Sequence, residues 1–187
     1  DGIDASLLLA RALLDSDQLM GLLGHTSVCI VPVYNVSGAL NRGRYGRVNQ
    51  NGPREYGFRG SAKNLDLNRD FMKMDSENAR SLKAAVSAWD PDIYFEPHAS
   101  DGADHQYIMA LMATQKDKLS PQLSEFMTKV LQPGQYDWMN SKGLLMCPYF
   151  ETTGKIPEEG LRGFYDSPRY SSGYNALFDR ISIISES

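Results

Sequence analysis

Ile181-Ser182-Ile183-Ile184-Ser185-Glu186-Ser187 is a run of β-branched apolar residues that ends on a single carboxylate. Such a run reads as a buried strand, because branched side chains pack well on a pleated surface. Working outward, residues 93–95 form a second short apolar strand that ends in Glu96-Pro97-His98. Residues 28–33 have the solid apolar pattern of a strand buried on both faces. Residues 107–113 and 144–146 are further strand candidates. Between them lie helical periods. Asp4 can cap a helix over 5–23, with Leu7, Leu8, Leu14 and Met20 near helical spacing and Gly24 as the stop. Ser76 opens a helix that runs to about Trp89, with Leu82 and Val86 on one face and Asp90-Pro91 closing it. Ser120 and Pro121 start a third, carrying Phe126 and Val130, and residues 174–179 suggest a helical turn. The Gly- and Arg-rich 35–60 and the Gly/Pro/Tyr-rich 133–173 read mostly as loop. Strands alternating with helices predict an α/β fold, a mixed and mostly parallel sheet with helices on both faces.

In sheets of this kind ligands sit off the carboxyl ends of the strands. Three chemistry-bearing groups fall at such exits. Asn64-Leu65-Asp66-Leu67-Asn68-Arg69-Asp70-Phe71 alternates apolar and polar residues and so reads as a strand end that presents Asn68 and Arg69. An amide beside a guanidinium is a good receptor for a carboxylate, which Arg grips bidentately. His98 beside an acidic residue suits a zinc ligand. Glu186 could act as the base toward a metal-activated water, and Arg47 or Arg59 could stabilise an oxyanion.

The totals restrict the options. The chain has 187 residues, 42% apolar and 22% charged, which suits one domain with a sizeable core. A net charge of −4 argues against a nucleic-acid partner. The arginines at 42, 44, 47, 54 and 59 suggest an anionic ligand instead. No apolar run reaches the about 18 residues that a membrane span requires. Two cysteines give neither a disulfide framework nor a zinc-finger spacing.

The ordered series Asn35-x-x-Gly38, Arg47-Val48-Asn49, Asp66-Leu67-Asn68-Arg69-Asp70-Phe71, a strand into His98, and a Tyr-rich loop into Ser185-Glu186 resembles the carboxypeptidase A-like zinc metallocarboxypeptidases. The resemblance covers nearly the whole chain and implies a single partial catalytic domain over 1–187, truncated at both ends. It implies Zn2+ as cofactor and hydrolysis of a C-terminal peptide bond. It assigns His98 as a metal ligand, Glu186 as catalytic base and Arg47, with Arg59 in reserve, as the oxyanion group. Asn68 and Arg69 would hold the substrate carboxylate, and Tyr170 would close over it, with Tyr165 and Tyr174 as alternatives. Asp66 would orient a metal-binding His. The partner is then a peptide or small amide with a free carboxylate, and a secreted or periplasmic location is favoured.

The family's first two zinc ligands, a His-x-x-Glu pair before the first long helix, are missing. His25 is followed at the needed position by Val28, and His105 by Ile108. The pair is expected a few residues ahead of Asp1, so the chain alone should bind zinc weakly and be inactive. Two other readings use the same residues. One is a zinc amidase acting on cell-wall peptides or acylated amino acids. The other is a noncatalytic module that binds peptide ends.

Overall fold

A computed structural model describes residues 2–46, 52–100 and 106–187. Its strands β1 (Ile93–His98), β2 (Met109–Ala113) and β3 (Met146–Pro148) join a late strand in one sheet, while β4 (Phe150–Thr152) and β5 (Leu161–Gly163) form a separate antiparallel hairpin. The late strand is β6 (Ile181–Glu186), and the four-stranded order is β1-β6-β2-β3. β1 runs parallel to β6 and β2 parallel to β3, with β6 and β2 antiparallel. The chain is thus mixed α/β with a mostly parallel sheet, as its alternating pattern predicts.

β6 is interior because of what it carries. Ile181, Ile183 and Ile184 are exposed by only 1–2%. Strand alternation sends Ile181 and Ile183 to one face, where they meet Leu111, Leu119 and Met127 in the core, with Leu123, Leu131, Tyr136 and Met146 packed around them. The helical residues of that layer belong to one long rod. It comprises a first helix (Pro121–Phe126), a π-type segment (Met127–Leu131) and a second helix (Gln132–Ser141). The sequence reading took residues from 133 onward as loop. Pro133 sits instead in the first turn of the second helix. A proline lacks the N–H that would bond the carbonyl four residues back, and the widened π turn just before it accommodates that loss.

The other face of β6 carries Ser182, Ile184 and Glu186. A short helix (Ser171–Ala176) packs against this strand. Small residues let it come close. Ser171, Ser172 and Ser182 are fully buried, and a Cβ on Gly173 would stand 2.2 Å from the Asp166 carbonyl. Thr114 Oγ1 ties the layers, donating to the Ser172 and Ser182 carbonyls and accepting from the Ser182 amide.

The helix after Ser76 forms as predicted, over Glu77–Trp89. Ser76 Oγ accepts from the Ala79 amide at 3.0 Å, and Asp90 closes the helix in a left-handed conformation at φ 47°. The N-terminal helix is shorter than predicted. It spans Gly2–Asp15, with Asp4 inside its first turn, and breaks at Ser16, which is extended and caps a short helix (Asp17–Met20). A 3-10 turn (Gly21–Gly24) follows. Within the predicted 35–60 loop, Asn35 caps another short helix (Val36–Leu40).

Two predicted strands are absent. Residues 28–33 are not a strand; no strand among the described residues pairs with them, and Val28 and Val31 are 43% and 52% exposed. The apolar pattern is real, but a strand also needs a hydrogen-bonding neighbour. Residues 64–71 fold as a 3-10 turn (Leu67–Arg69), because Asp66 accepts the Asn68 amide at 3.0 Å and so competes with a sheet ladder. No helix among the described residues is long and apolar enough to cross a membrane.

Ile183→Ala should destabilise the fold by about 2–5 kcal/mol, the range for emptying a buried aliphatic site. Val31→Ala should stay within about 0.5 kcal/mol, as at other exposed sites. Urea denaturation of the two variants checks both values, and comparable losses would mean that residues 28–33 are packed after all.

Candidate functional site

β1 and β6 place His98 opposite Glu186 at the carboxyl ends of two parallel strands. Paired positions in a ladder share a face, so the ring and the carboxylate meet. His98 Nδ1 lies 3.2 Å from Glu186 Oε1. Two residues back on β1, hence on the same face, Glu96 Oε1 lies 3.0 Å from His98 Nε2. The ring is therefore clamped between two carboxylates, with its side chain and that of Glu96 each 19% exposed and that of Glu186 11%. Pro97 sits between the two β1 residues. It is tolerated because β1 is an edge strand of the sheet formed by the described residues.

Electrostatics follows from this geometry. Burial alone would lower the His98 pKa, but hydrogen bonds and charge from Glu186 and Glu96 outweigh it and raise the group to about 10. Burial pushes the phenols of Tyr34 and Tyr94 up, and the nearby Glu96 charge adds to both. The second Glu96 oxygen, Oε2, is buried without a hydrogen-bond partner.

Beside Glu186 opens a cleft of about 620 Å³. Small Ala110 and Cys147 lie on the sheet side, and Tyr107, Tyr149 and Phe150 add aromatic surface. Glu151, Lys155 and Arg162, from the hairpin and its connection, bring charge to it. Arg162 pairs with Glu151 at 2.9 Å.

A second cluster holds Asn68 and Arg69. Their turn is pinned on both sides. Asp66 caps it, Leu67 is buried, Asp70 accepts the Asp75 and Ser76 amides at 2.8 and 2.9 Å, and Phe71 stacks near Tyr174 at 6.1 Å. Burial would raise the Asp70 carboxyl, but those bonds hold it below the usual carboxylate value. The Arg69 guanidinium lies over the Tyr170 ring, 4.7 Å from its centroid. Tyr170 meets Phe164 edge-on at 4.9 Å, and Phe164 meets Tyr149 at 5.8 Å. An aromatic wall thus joins the Arg69 cluster to the cleft beside Glu186.

Of the predicted residues, His98 and Glu186 come together directly, as do Arg69 and Tyr170, with Asn68 on the same turn. The Asn68–Arg69 pair stands on a 3-10 turn and not on a strand exit. Tyr165 is 75% exposed near Lys118, and Tyr174 is buried between Phe71 and Phe178, so Tyr170 alone of the three lies against Arg69. Arg47 and His105 lie outside the described residues. Arg59 is held by Asp66 at 3.0 Å, and that carboxylate also caps the turn; it orients no His among the described residues. The acidic residue that the sequence places beside His98 does meet the ring, since period two puts Glu96 and His98 on one face. The sequence reading did not single out Phe164 or Tyr149.

Whether these residues suit zinc turns on the donor set. Glu186 takes Nδ1 of His98 and Glu96 takes Nε2, so both ring nitrogens are occupied by carboxylates and the set does not fit a metal as it stands; the ring would have to part from one of the two to become a ligand. Among the described residues no group of three or more His, Cys, Asp or Glu side chains forms a complete metal centre.

In metal-free buffer the raised His98 pKa has a defined sign. The folded state binds the proton more tightly than the unfolded state, so the stabilisation is fully present below about pH 6.5 and is lost as pH rises through about 10. Melting curves with a chelator should show this decline, and His98→Asn should flatten it between those limits. An unchanged pH profile in the variant would contradict the clamped-ring geometry.

Comparison with family models, with curated proteins and with solved structures returned no match.

Proposed function

We propose that this chain is part of a zinc metallocarboxypeptidase that hydrolyses the C-terminal peptide bond of peptides. The observation that carries the reading is the His98–Glu186 contact of 3.2 Å at the ends of neighbouring parallel strands, with an open cleft beside it. Zinc, when bound at the His98 end, would supply Lewis acidity toward the scissile carbonyl and toward water.

The chain's own residues do the rest. His98 would contribute one nitrogen donor once its ring parts from one of the two carboxylates. Glu186, held on a rigid central strand, takes a proton from water and returns it to the leaving amine. Arg69 and Asn68 hold the substrate's terminal carboxylate, and Tyr170 flanks it from the aromatic wall. Anchoring the terminal charge at a fixed distance from Glu186 would select the last peptide bond, because it fixes the reacting geometry. Arg47 keeps the oxyanion role implied by the family resemblance.

The outstanding donors are the His-x-x-Glu pair that the resemblance expects ahead of the first helix. One contact supports that position. A Cβ on Gly2 would stand 2.9 Å from the Pro97 carbonyl, so the start of the first helix abuts β1 next to His98.

The 187-residue chain alone is expected to lose zinc on dialysis and to leave peptides intact. Stoichiometric metal retained after dialysis would show that its own residues complete the site. Preceded by a His-x-x-Glu pair, the chain should cleave peptides with free C-termini and spare their amides. In that form Arg69→Ala should lower kcat/KM on free C-termini by on the order of 10–100-fold, the effect of losing a charged hydrogen bond. Equal cleavage of amidated peptides, or no response to Arg69→Ala, would overturn the carboxypeptidase reading.

A further inference from the structure

We propose that the cavity between the Glu77–Trp89 helix, β1 and the Ser171–Ala176 helix is a binding site for a small aromatic carboxylate, separate from the cleft beside Glu186. Its volume is about 280 Å³, and the two spaces share no lining residue. An apolar cavity of about 150 Å³ accepts benzene, so this one has room for a ring with a short chain.

The walls are apolar and come from several elements. Leu82 and Val86 stand one turn apart on the helix and so share a face. Phe71, Tyr174 and Phe178 form an aromatic surface, with Tyr174 6.1 Å from Phe71 and 5.3 Å from Phe178, ring centre to ring centre. Tyr94 comes from β1, and Asn78 Nδ2 ties the Tyr34 segment to the helix by donating to the Tyr34 carbonyl at 3.0 Å.

The polar groups decide the ligand class. Asp90, the acidic residue of the lining, is neutralised by Arg180 at 2.8 Å. Arg180 is fully engaged, because its other nitrogens donate to Asn175 Oδ1 and to the Pro91 carbonyl. What is left is a set of donors. Lys83 has no ion pair among the described residues, and the Tyr34 and Tyr94 hydroxyls have no hydrogen-bond partner among them. Burial pushes both phenols up, so they keep their protons to donate. An ammonium and two phenols above an aromatic wall call for a ligand that brings a negative charge, acceptor oxygens and a ring.

The test is methyl NMR on the Leu- and Val-labelled chain, titrated with phenylbutanoate and with its uncharged analogue phenylbutanamide. Phenylbutanoate should shift the Leu82 and Val86 methyls and bind roughly 10-fold tighter than the amide, the effect of a charged hydrogen bond. Lys83 is exposed, so Lys83→Met should spare the fold and bring the acid down to the affinity of the amide. Val86→Trp, which fills the cavity, should abolish binding of both; if that variant does not fold, Lys83→Met decides the matter. Millimolar phenylbutanoate that leaves the Leu82 and Val86 methyls unmoved, or that shifts only Leu67 beside the Asn68–Arg69 turn, would overturn the site. Equal affinity of acid and amide in the parent chain, or an unchanged acid affinity in Lys83→Met, would overturn the assignment of a carboxylate.

Discussion

The parallel register of β1 and β6 is the constraint on which the site depends. Pairing Ile93 with Ile181 at one end obliges His98 to meet Glu186 at the other, five steps along both strands. That register is enforced by burial. A slip of one residue would turn Ile181 and Ile183 out of the core and bring Ser182 and the neighbouring polar groups into it. The hydrophobic free energy that orders β6 therefore also aligns an imidazole with a carboxylate, and the chemistry inherits its precision from the core.

The opposite face shows how space for a ligand is left open. Serine and glycine let the helix at Ser171–Ala176 lie close over the early part of β6. Toward the strand ends that cover gives way to the cleft floored by Ala110 and Cys147. The Asp66–Phe71 segment solves a related problem locally. Two carboxylates are spent on backbone amides and two apolar side chains on the interior, which leaves Asn68 and Arg69 as the half-buried polar pair of the turn. Rigid support for Asn68 and Arg69 thus comes from the four residues that flank them, Asp66, Leu67, Asp70 and Phe71, and not from a sheet.

Legibility in the sequence followed the length scale of the cause. The capped helix after Ser76 and the buried strand at residue 181 were readable, because capping chemistry and β-branched runs act over a few residues. The alternation at 64–71 misled, since Asp66 closes a turn on its own side chain and period two cannot report that. Residues 28–33 misled for the opposite reason: the pattern is local, but a strand requires a neighbour elsewhere in the chain. His98 and Glu186 were legible as strand exits, although their contact is set by an 88-residue separation that only the register reveals. The aromatic wall from Tyr170 to Tyr149 joins loop positions with no periodic signature.

β1 also forms the margin of the sheet, with Ile93 and Phe95 in solvent at 41% and 55% exposure. The outer backbone of an edge strand is in general a template for another extended chain. Pro97 interrupts that template, because a position without an N–H cannot continue a ladder. The proline that stiffens the approach to His98 therefore also acts as a gatekeeper against strand-mediated self-association. Its replacement would bear on solubility as well as on the geometry of the ring.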